Sequence, residues 1–418
     1  MTSSKSLFTG VALAALVFAV ATPSFAGSFY LQEQSARAAG RAYSGEGADR
    51  GVGSLWWNPA AIARSGREVT FSVHGLALNS TINNAGSSIV YPGGTTVPVQ
   101  GQSTSNNPIE SGIVPNFAVA VPVGDRFAVG LSLSAPYNFT TKYQGNSFAR
   151  YDALTSELRS VNVGLTGAMQ VTDWLDIGVG VDAQYVKAKL TSSLPNLSPA
   201  LPDGTSSLEG DGWDYGWNAG AQAHFGRLDL GLSYRSKIEH ELDGEVNVTG
   251  LLGPIAAGNV STDGVASFNT PWFATASVRY AVNDKLTLNA QVNRIGWSEF
   301  DAIRVAYGAG GDVIVQDYKD VTTGAVGFDY VASDRLTLRG GIGYDPTPTR
   351  DSERTTRIPD ADRRLVSAGA SGKAADKVTV DMGLTYIAFS DSDIHSDRTF
   401  YPGTPAATTS QLRGTAEG

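Results

Sequence analysis

From about residue 68 onward, hydrophobic and polar side chains alternate along the chain. Across residues 160–171 the odd positions are Val161, Val163, Leu165, Gly167, Met169 and Val171, and the even ones are Ser160, Asn162, Gly164, Thr166, Ala168 and Gln170. The same alternation runs through Leu175, Ile177, Val179 and Val181, through Leu286, Leu288, Ala290 and Val292, and through Val378, Val380, Met382 and Leu384. Successive side chains of a strand point to opposite faces, so each segment predicts a β-strand with one apolar and one polar side.

The connections alternate as well. Six are short and rich in Asp, Asn or Gly: 124–126, 172–174, 226–227, 283–285, 333–335 and 376–377. Such residues suit tight turns because they tolerate unusual backbone angles or bond their own backbone. Seven are long, near residues 81–110, 140–155, 191–210, 244–263, 300–318, 347–361 and 391–410. These 13 connections join 14 strands. An even strand number, with tight turns at one end and long loops at the other, predicts an all-β fold: a 14-stranded antiparallel transmembrane β-barrel over residues 68–418. Lipid cannot solvate charge, so Asp176, Asp182, Asp229, Arg279, Arg339 and Asp381 are expected to point inward. Phe127 and Trp174 follow tight turns, and Tyr137 and Tyr185 lie 10 and 11 residues later. That spacing matches the ~9–11 residues of a membrane strand, so these aromatics are expected in the two interfacial girdles.

Two segments precede the strands. Residues 1–26 combine Lys5, an apolar run over 7–21 and small residues Ser24 and Ala26, the pattern of a cleaved signal peptide that leaves a mature chain starting at Gly27. Residues 27–67 lack the two-residue period and mix Glu33, Arg37, Arg41, Glu46, Asp49 and Arg50 with many glycines. Within them Asn58 is suited to cap a short helix, Pro59 to its first position, and Trp57 and Ile62 to a hydrophobic staple. A compact segment of this size is expected inside the barrel as a hatch or plug, its charges pairing with the inward strand charges.

Composition narrows the function. The net charge of −9 argues against a nucleic-acid partner, and the absence of cysteine excludes disulfides and thiolate metal sites. The four histidines, His74, His224, His240 and His395, form no metal-binding spacing, and no nucleophile elbow is present. No metal, no cofactor and no enzymatic activity are expected.

Several short motifs carry a resemblance. "GRAYSGEGA" over 40–48, "NPA" over 58–60, "VPN" over 114–116 and "IPDADR" over 358–363 followed by "SAG" over 367–369 resemble the FadL-type outer-membrane transporters of long-chain fatty acids and other hydrophobic compounds, including toluene. The resemblance implies a barrel of 14 strands plugged by an N-terminal hatch, in the outer membrane, for passive uptake. It implies an apolar pocket lined by the start of the hatch, here Phe29, Tyr30 and Leu31. It implies a lateral exit where Asn58, Pro59 and Ala60 meet a kinked third strand. Pro136 supports the kink independently, because proline lacks the ladder N–H and sits badly in a central strand; the opening is expected at Pro136, Tyr137 and Asn138. The partners implied are hydrophobic small molecules, outer-membrane lipid and lipopolysaccharide, with the protein a monomer.

The sequence departs from the family where head-group cations are implied, since those positions fall at Ser192 and near Asp317. Lys187 and Lys189 follow outward parity, toward lipopolysaccharide phosphates; Arg159, Arg304 and Lys319 are unranked substitutes. Long-chain fatty acid is the first expectation, with uncharged or aromatic hydrocarbons as the alternative, and a general porin or surface receptor behind them. The chain ends "QLRGTAEG", without a terminal aromatic, so an incomplete fourteenth strand and partial closure are expected.

Overall fold

The alternating segments are strands, and neighbours in sequence are neighbours in the sheet. The computed structural model describes residues 28–308 and 310–418; the expected signal peptide and the Gly27 start lie outside the described residues. Antiparallel ladders lead from Glu68–Leu76 to Gly112–Val123, Phe127–Ser134, Thr155–Gln170, Leu175–Leu194 and Gly204–Phe225. They continue through Leu228–Arg235, Trp272–Ala281, Leu286–Gly296, Val321–Ser333, Leu336–Asp345, Arg363–Ala375 and Val378–Phe389. All six short connections close hairpins between adjacent strands. The result is a β-barrel wall.

Its two faces differ as the alternation requires. Val179, Val181, Leu165, Leu232, Val292, Val326 and Met382 are exposed, while Asp176, Asp182, Asn162, Gln222, Asn289, Gln291 and Asp329 are buried on the other side. Trp174 stacks on Phe225 near the tight turns, and Tyr185 meets Trp213 farther along the same two strands. Tyr137 departs from the expected girdle. It is 3% exposed and turned inward, because the ladder slips beside Pro136: Ser134 pairs with Asn162 and Asn138 with Arg159, so three residues stand opposite two. One extra residue exchanges the faces of every side chain beyond it.

The long loops build a second, six-stranded sheet from Thr81–Asn84, Ser88–Val90, Thr96–Pro98, Thr104–Asn106, Ser392–Phe400 and Thr408–Glu417. The strand Thr408–Glu417, which takes in the final residues expected to begin a fourteenth wall strand, pairs there with Ser392–Phe400 and Thr81–Asn84 instead. Among the described residues no ladder joins Glu68–Leu76 to Val378–Phe389. A cavity of about 430 Å³ lies between them, bordered by His74 and Leu384 and floored by Ala36, Ala39 and Tyr43.

Residues 28–67 pack on the face opposite the exposed apolar side chains. They form a four-residue helix, Ala36–Ala39, and 3-10 turns at Glu46–Ala48, Val52–Ser54 and Pro59–Ile62. Asn58 caps the last turn, its Oδ1 accepting from the Ala60 N–H at 3.0 Å. The staple does not form: Trp57 clusters with Ala38, Tyr43 and Leu365, and Ile62 with Leu55, Ala120 and Ala168.

Candidate functional site

The site begins with a missing ladder. The second and third wall strands pair from Val123↔Phe127 as far as Phe117↔Leu133 and then part. Beyond that point Gly112–Asn116 continues beside Glu68–Leu76, while the third strand breaks at Pro136 and resumes as Asn138–Lys142 beside Thr155–Gln170. Contact between the two sides returns only where Glu110 N donates to Thr140 O at 2.8 Å and Lys142 N to Pro108 O at 2.7 Å. Pro136 has no N–H to offer a neighbour, and its ring fixes the local backbone, so the interruption sits where the sequence puts proline.

The N-terminal segment supplies the lost partner from within. Leu31 N donates to Pro136 O at 2.8 Å and Asn138 N to Phe29 O at 3.2 Å, an antiparallel bridge centred on Tyr30 and Tyr137. On the opposite lip Asn116 Nδ2 donates to Glu33 O at 2.8 Å. Residues 29–33 thus span the break. Burial raises the pKa of the Glu33 carboxyl above its ordinary value, against the help of Arg363 and the Tyr43 hydroxyl.

The same residues close an apolar cavity. Phe29 is fully buried, with its ring centroid 5.0 Å from both Trp297 and Phe300 and 5.7 Å from Tyr137. Beyond Phe29 the cavity is bounded by Phe139, Leu158, Leu242, Phe300 and Ile358, and about 40 Å³ remains open. On the other side of Phe29, Tyr30 lies against Phe273, its hydroxyl accepts from Trp56 Nε1 at 3.0 Å, and the Arg235 guanidinium covers Trp56 at 4.0 Å.

Six of the sequence-predicted residues therefore meet: Phe29, Tyr30 and Leu31 with Pro136, Tyr137 and Asn138. Asn58, Pro59 and Ala60 pack chiefly on other strands, with Pro59 sharing a cavity lining with Tyr30. Asn58 Nδ2 donates to Gly47 O at 2.7 Å and to Ala221 O at 3.1 Å, and Pro59 and Ala60 lie on Gly178. A Cβ added to Gly178 would stand 2.4 Å from the Pro59 carbonyl carbon, and one on Gly220 2.2 Å from Asn58 Oδ1. The motif thus fastens the segment to the strands Leu175–Leu194 and Gly204–Phe225. Likewise, a Cβ added to Gly341 would stand 2.3 Å from Arg41 O, one on Gly231 1.9 Å from Gly47 O and one on Gly383 2.5 Å from Ala36 O.

Charges fasten it further. Arg41 is fully buried and paired with Glu46 at 2.5 Å, Asp49 at 2.5 Å and Asp329 at 2.9 Å. Arg279 reaches Asp49 at 3.4 Å, Arg50 reaches Asp229 at 3.1 Å and Arg64 reaches Asp176 at 2.7 Å. Burial pushes Asp49 up, but Arg279, Arg37 and Arg41 outweigh it and hold the carboxyl well below its ordinary range. The sequence pointed to the inward charges; it did not reveal Asn116, Trp297 or Phe300 as site residues, although Asn116 lies in one of the quoted motifs.

The family model for "Outer membrane protein transport protein (OMPP1/FadL/TodX)" matches residues 17–418. The chain belongs to this family. A long-chain fatty acid transport protein of Escherichia coli O6:H1 is 29% identical over 420 residues, covering 92% of both chains. The crystal structure of a Pseudomonas aeruginosa FadL homologue superposes with a TM-score of 0.80 at 22% identity, over 93% of this chain and 97% of that one. The Ralstonia pickettii toluene transporter TbuX gives 0.61 at 19% identity, over 91% and 96%. As a FadL-family barrel, the protein resides in the outer membrane and acts in transport.

At the family positions examined for a head-group cation, Ser192 is buried and Asp317 is paired with Arg350 at 3.0 Å. Of the other cations, Lys187 and Lys189 pair with Glu209, Arg159 with Glu157 and Arg304 with Asp301, whereas Lys319 is exposed.

Proposed function

We propose that this protein carries hydrophobic molecules, long-chain fatty acids first among them, passively inward through the outer membrane, by way of the Phe29 cavity and the wall break at Pro136. The observation that carries this reading is that one short stretch, Phe29 to Leu31, both seals the cavity and bridges the break. Small-molecule pockets commonly measure ~300–1,000 Å³, far more than the space left here, so a ligand must displace the Phe29 ring to enter. That displacement pulls on the bonds to Pro136 and Asn138. Filling the pocket and uncovering the side exit become one event, with no external energy source.

In this reading residues 28–67 are a plug held by the Arg41 network, and the apolar exit delivers ligand sideways without crossing a polar interior. The protein works as a monomer, and lipopolysaccharide phosphates meet Lys187 and Lys189 beyond the Tyr185–Trp213 pair. The lining of the cavity, apolar except for Glu157, also suits uncharged or aromatic hydrocarbons, which makes that class the second reading.

The test is uptake of radiolabelled oleate and toluene by a Gram-negative strain lacking its own transporter. Wild-type protein should restore oleate uptake, and Phe29→Ala should impair it. Restoration of toluene but not oleate uptake selects the second reading. A large, steady ion current through purified protein in planar bilayers, with no gain in either uptake, makes it a porin instead.

A further inference from the structure

Arg357 stands on the long connection between Leu336–Asp345 and Arg363–Ala375, one residue before Ile358, which borders the apolar cavity. The ladder between Asn138–Lys142 and Thr155–Gln170 fixes its place. Phe139 pairs with Leu158, and both line the cavity; the next pair on that face is Thr141 and Ser156. Thr141 Oγ1 donates to the Arg357 carbonyl at 2.9 Å, and Arg357 Nη1 donates to Ser156 Oγ at 3.2 Å. Two strand residues rise roughly 7 Å, so the guanidinium sits one step beyond the apolar wall.

This cation is buried, at 5% exposure, yet poorly compensated. Its nearest carboxylate, Asp152, is 3.9 Å from Nε, and the other oxygen of that carboxylate takes both the N–H and the hydroxyl of Thr356. A guanidinium carries five N–H donors; the Ser156 contact uses one of them. The neighbouring buried Arg354 is better served: it donates to two carbonyls and pairs with Asp351. Burial pushes the Arg357 pKa down to about 10, which leaves it charged at neutral pH. Glu157, which itself borders the cavity, is already matched by Arg159 at 2.7 Å. Buried charges are normally paired, so spare donors on a buried cation beside an apolar cavity mark a place for an anion.

We propose that Arg357 anchors the carboxylate of a ligand whose hydrocarbon tail fills the Phe29 cavity, which makes the pocket selective for fatty-acid anions over uncharged hydrocarbons. The assignment rests on the cavity being the ligand pocket, as proposed above. It also places the missing cation on a different loop position from those the family pattern suggests.

The experiment compares dodecanoate with methyl dodecanoate, which differ in charge and hardly in tail, by calorimetry on the full-length protein in lipid nanodiscs at pH 8. Wild type should bind the acid at least tenfold more tightly than the ester. Arg357→Met should weaken the acid about tenfold or more, the size expected for a charge-assisted hydrogen bond, and leave the ester unchanged. Arg357→Lys should keep most of the preference for the acid. A Met variant that retains the acid preference overturns the proposal, as does parity of acid and ester in wild type. Should the Met variant not fold, the wild-type ratio and the Lys variant decide. Parity with both ligands lost in Phe29→Trp removes the anchor but keeps the pocket; failure of wild type to bind either ligand removes both.

Discussion

The backbone N–H of Leu31 donates to the carbonyl of Pro136 at 2.8 Å, across a gap of 105 positions in sequence. With the return bond from Asn138 to Phe29 it makes Tyr30 and Tyr137 a non-hydrogen-bonded antiparallel pair, the closer of the two pair types and one within disulfide reach. The chain has no cysteine, so a double variant, Tyr30→Cys with Tyr137→Cys, introduces a single possible bridge. Oxidation should stop oleate uptake and reductant should restore it. Uptake that is indifferent to the redox state removes the N-terminal bridge from the transport route.

Pro136 deprives the third strand of an N–H and of regular pairing with the second. Pro136→Val is expected to extend that ladder and slow uptake severalfold, while the barrel still assembles and shows its normal heat-modifiable migration in gels. Unchanged uptake with an assembled barrel argues that ligand leaves by another path.

Arg41 holds three carboxylates at once. Removing one partner of a buried ion network costs roughly 3–5 kcal/mol, because the remaining charges stay buried without compensation. Arg41→Met should therefore loosen residues 28–67 and expose their arginines to trypsin, with the wall intact. Protection equal to wild type would show that the glycine contacts suffice.

Glu33 gives a pH dependence. Its carboxyl is raised above the ordinary value by burial, so its contribution to docking is full below about pH 4.5 and fades as the pH rises through the raised value. Glu33→Gln keeps an acceptor for the Tyr43 hydroxyl without the charge. It should tighten docking of residues 29–33 at pH 8 and change little at pH 4, read by hydrogen exchange of the Leu31 amide. Equal protection of wild type and variant at both pH values counts against this role.

Gly178 and Gly167 offer a paired test. A methyl group on Gly178 meets the Pro59 backbone at 2.4 Å, whereas one on Gly167 meets nothing within 4 Å. Gly178→Ala should displace the 58–60 turn and lower the thermal midpoint, and Gly167→Ala should be nearly silent. Similar midpoints for both would show that the turn yields without cost.

The wall was legible because its signals are local. Alternation marks a face, and turn residues mark a reversal, within a few positions of each other. Pro136 and the Asn58 cap were legible for the same reason. Tyr137 was misplaced because parity was carried straight through the break, whereas an unpaired residue there reverses the faces. The staple failed because Trp57 and Ile62 are claimed by different strands. The cavity was only partly legible: Phe29 came from a family likeness, but Leu158, Leu242, Phe300 and Ile358 lie on distant strands and loops that only the fold brings together. Arg357 looked like one more loop arginine until its burial and sparse partners were known.

The contacts made at wall glycines begin at Ala36 and recur through Arg41, Gly47 and Pro59; none involves residues 28–35. From Ala36 to Pro59 the segment and the wall lie backbone against backbone, too close for a methyl group between them, so this stretch cannot slide along the wall without unseating the strands it touches. The residues before Ala36 are held instead by backbone bonds and ring contacts, like a latch on a fixed lock case.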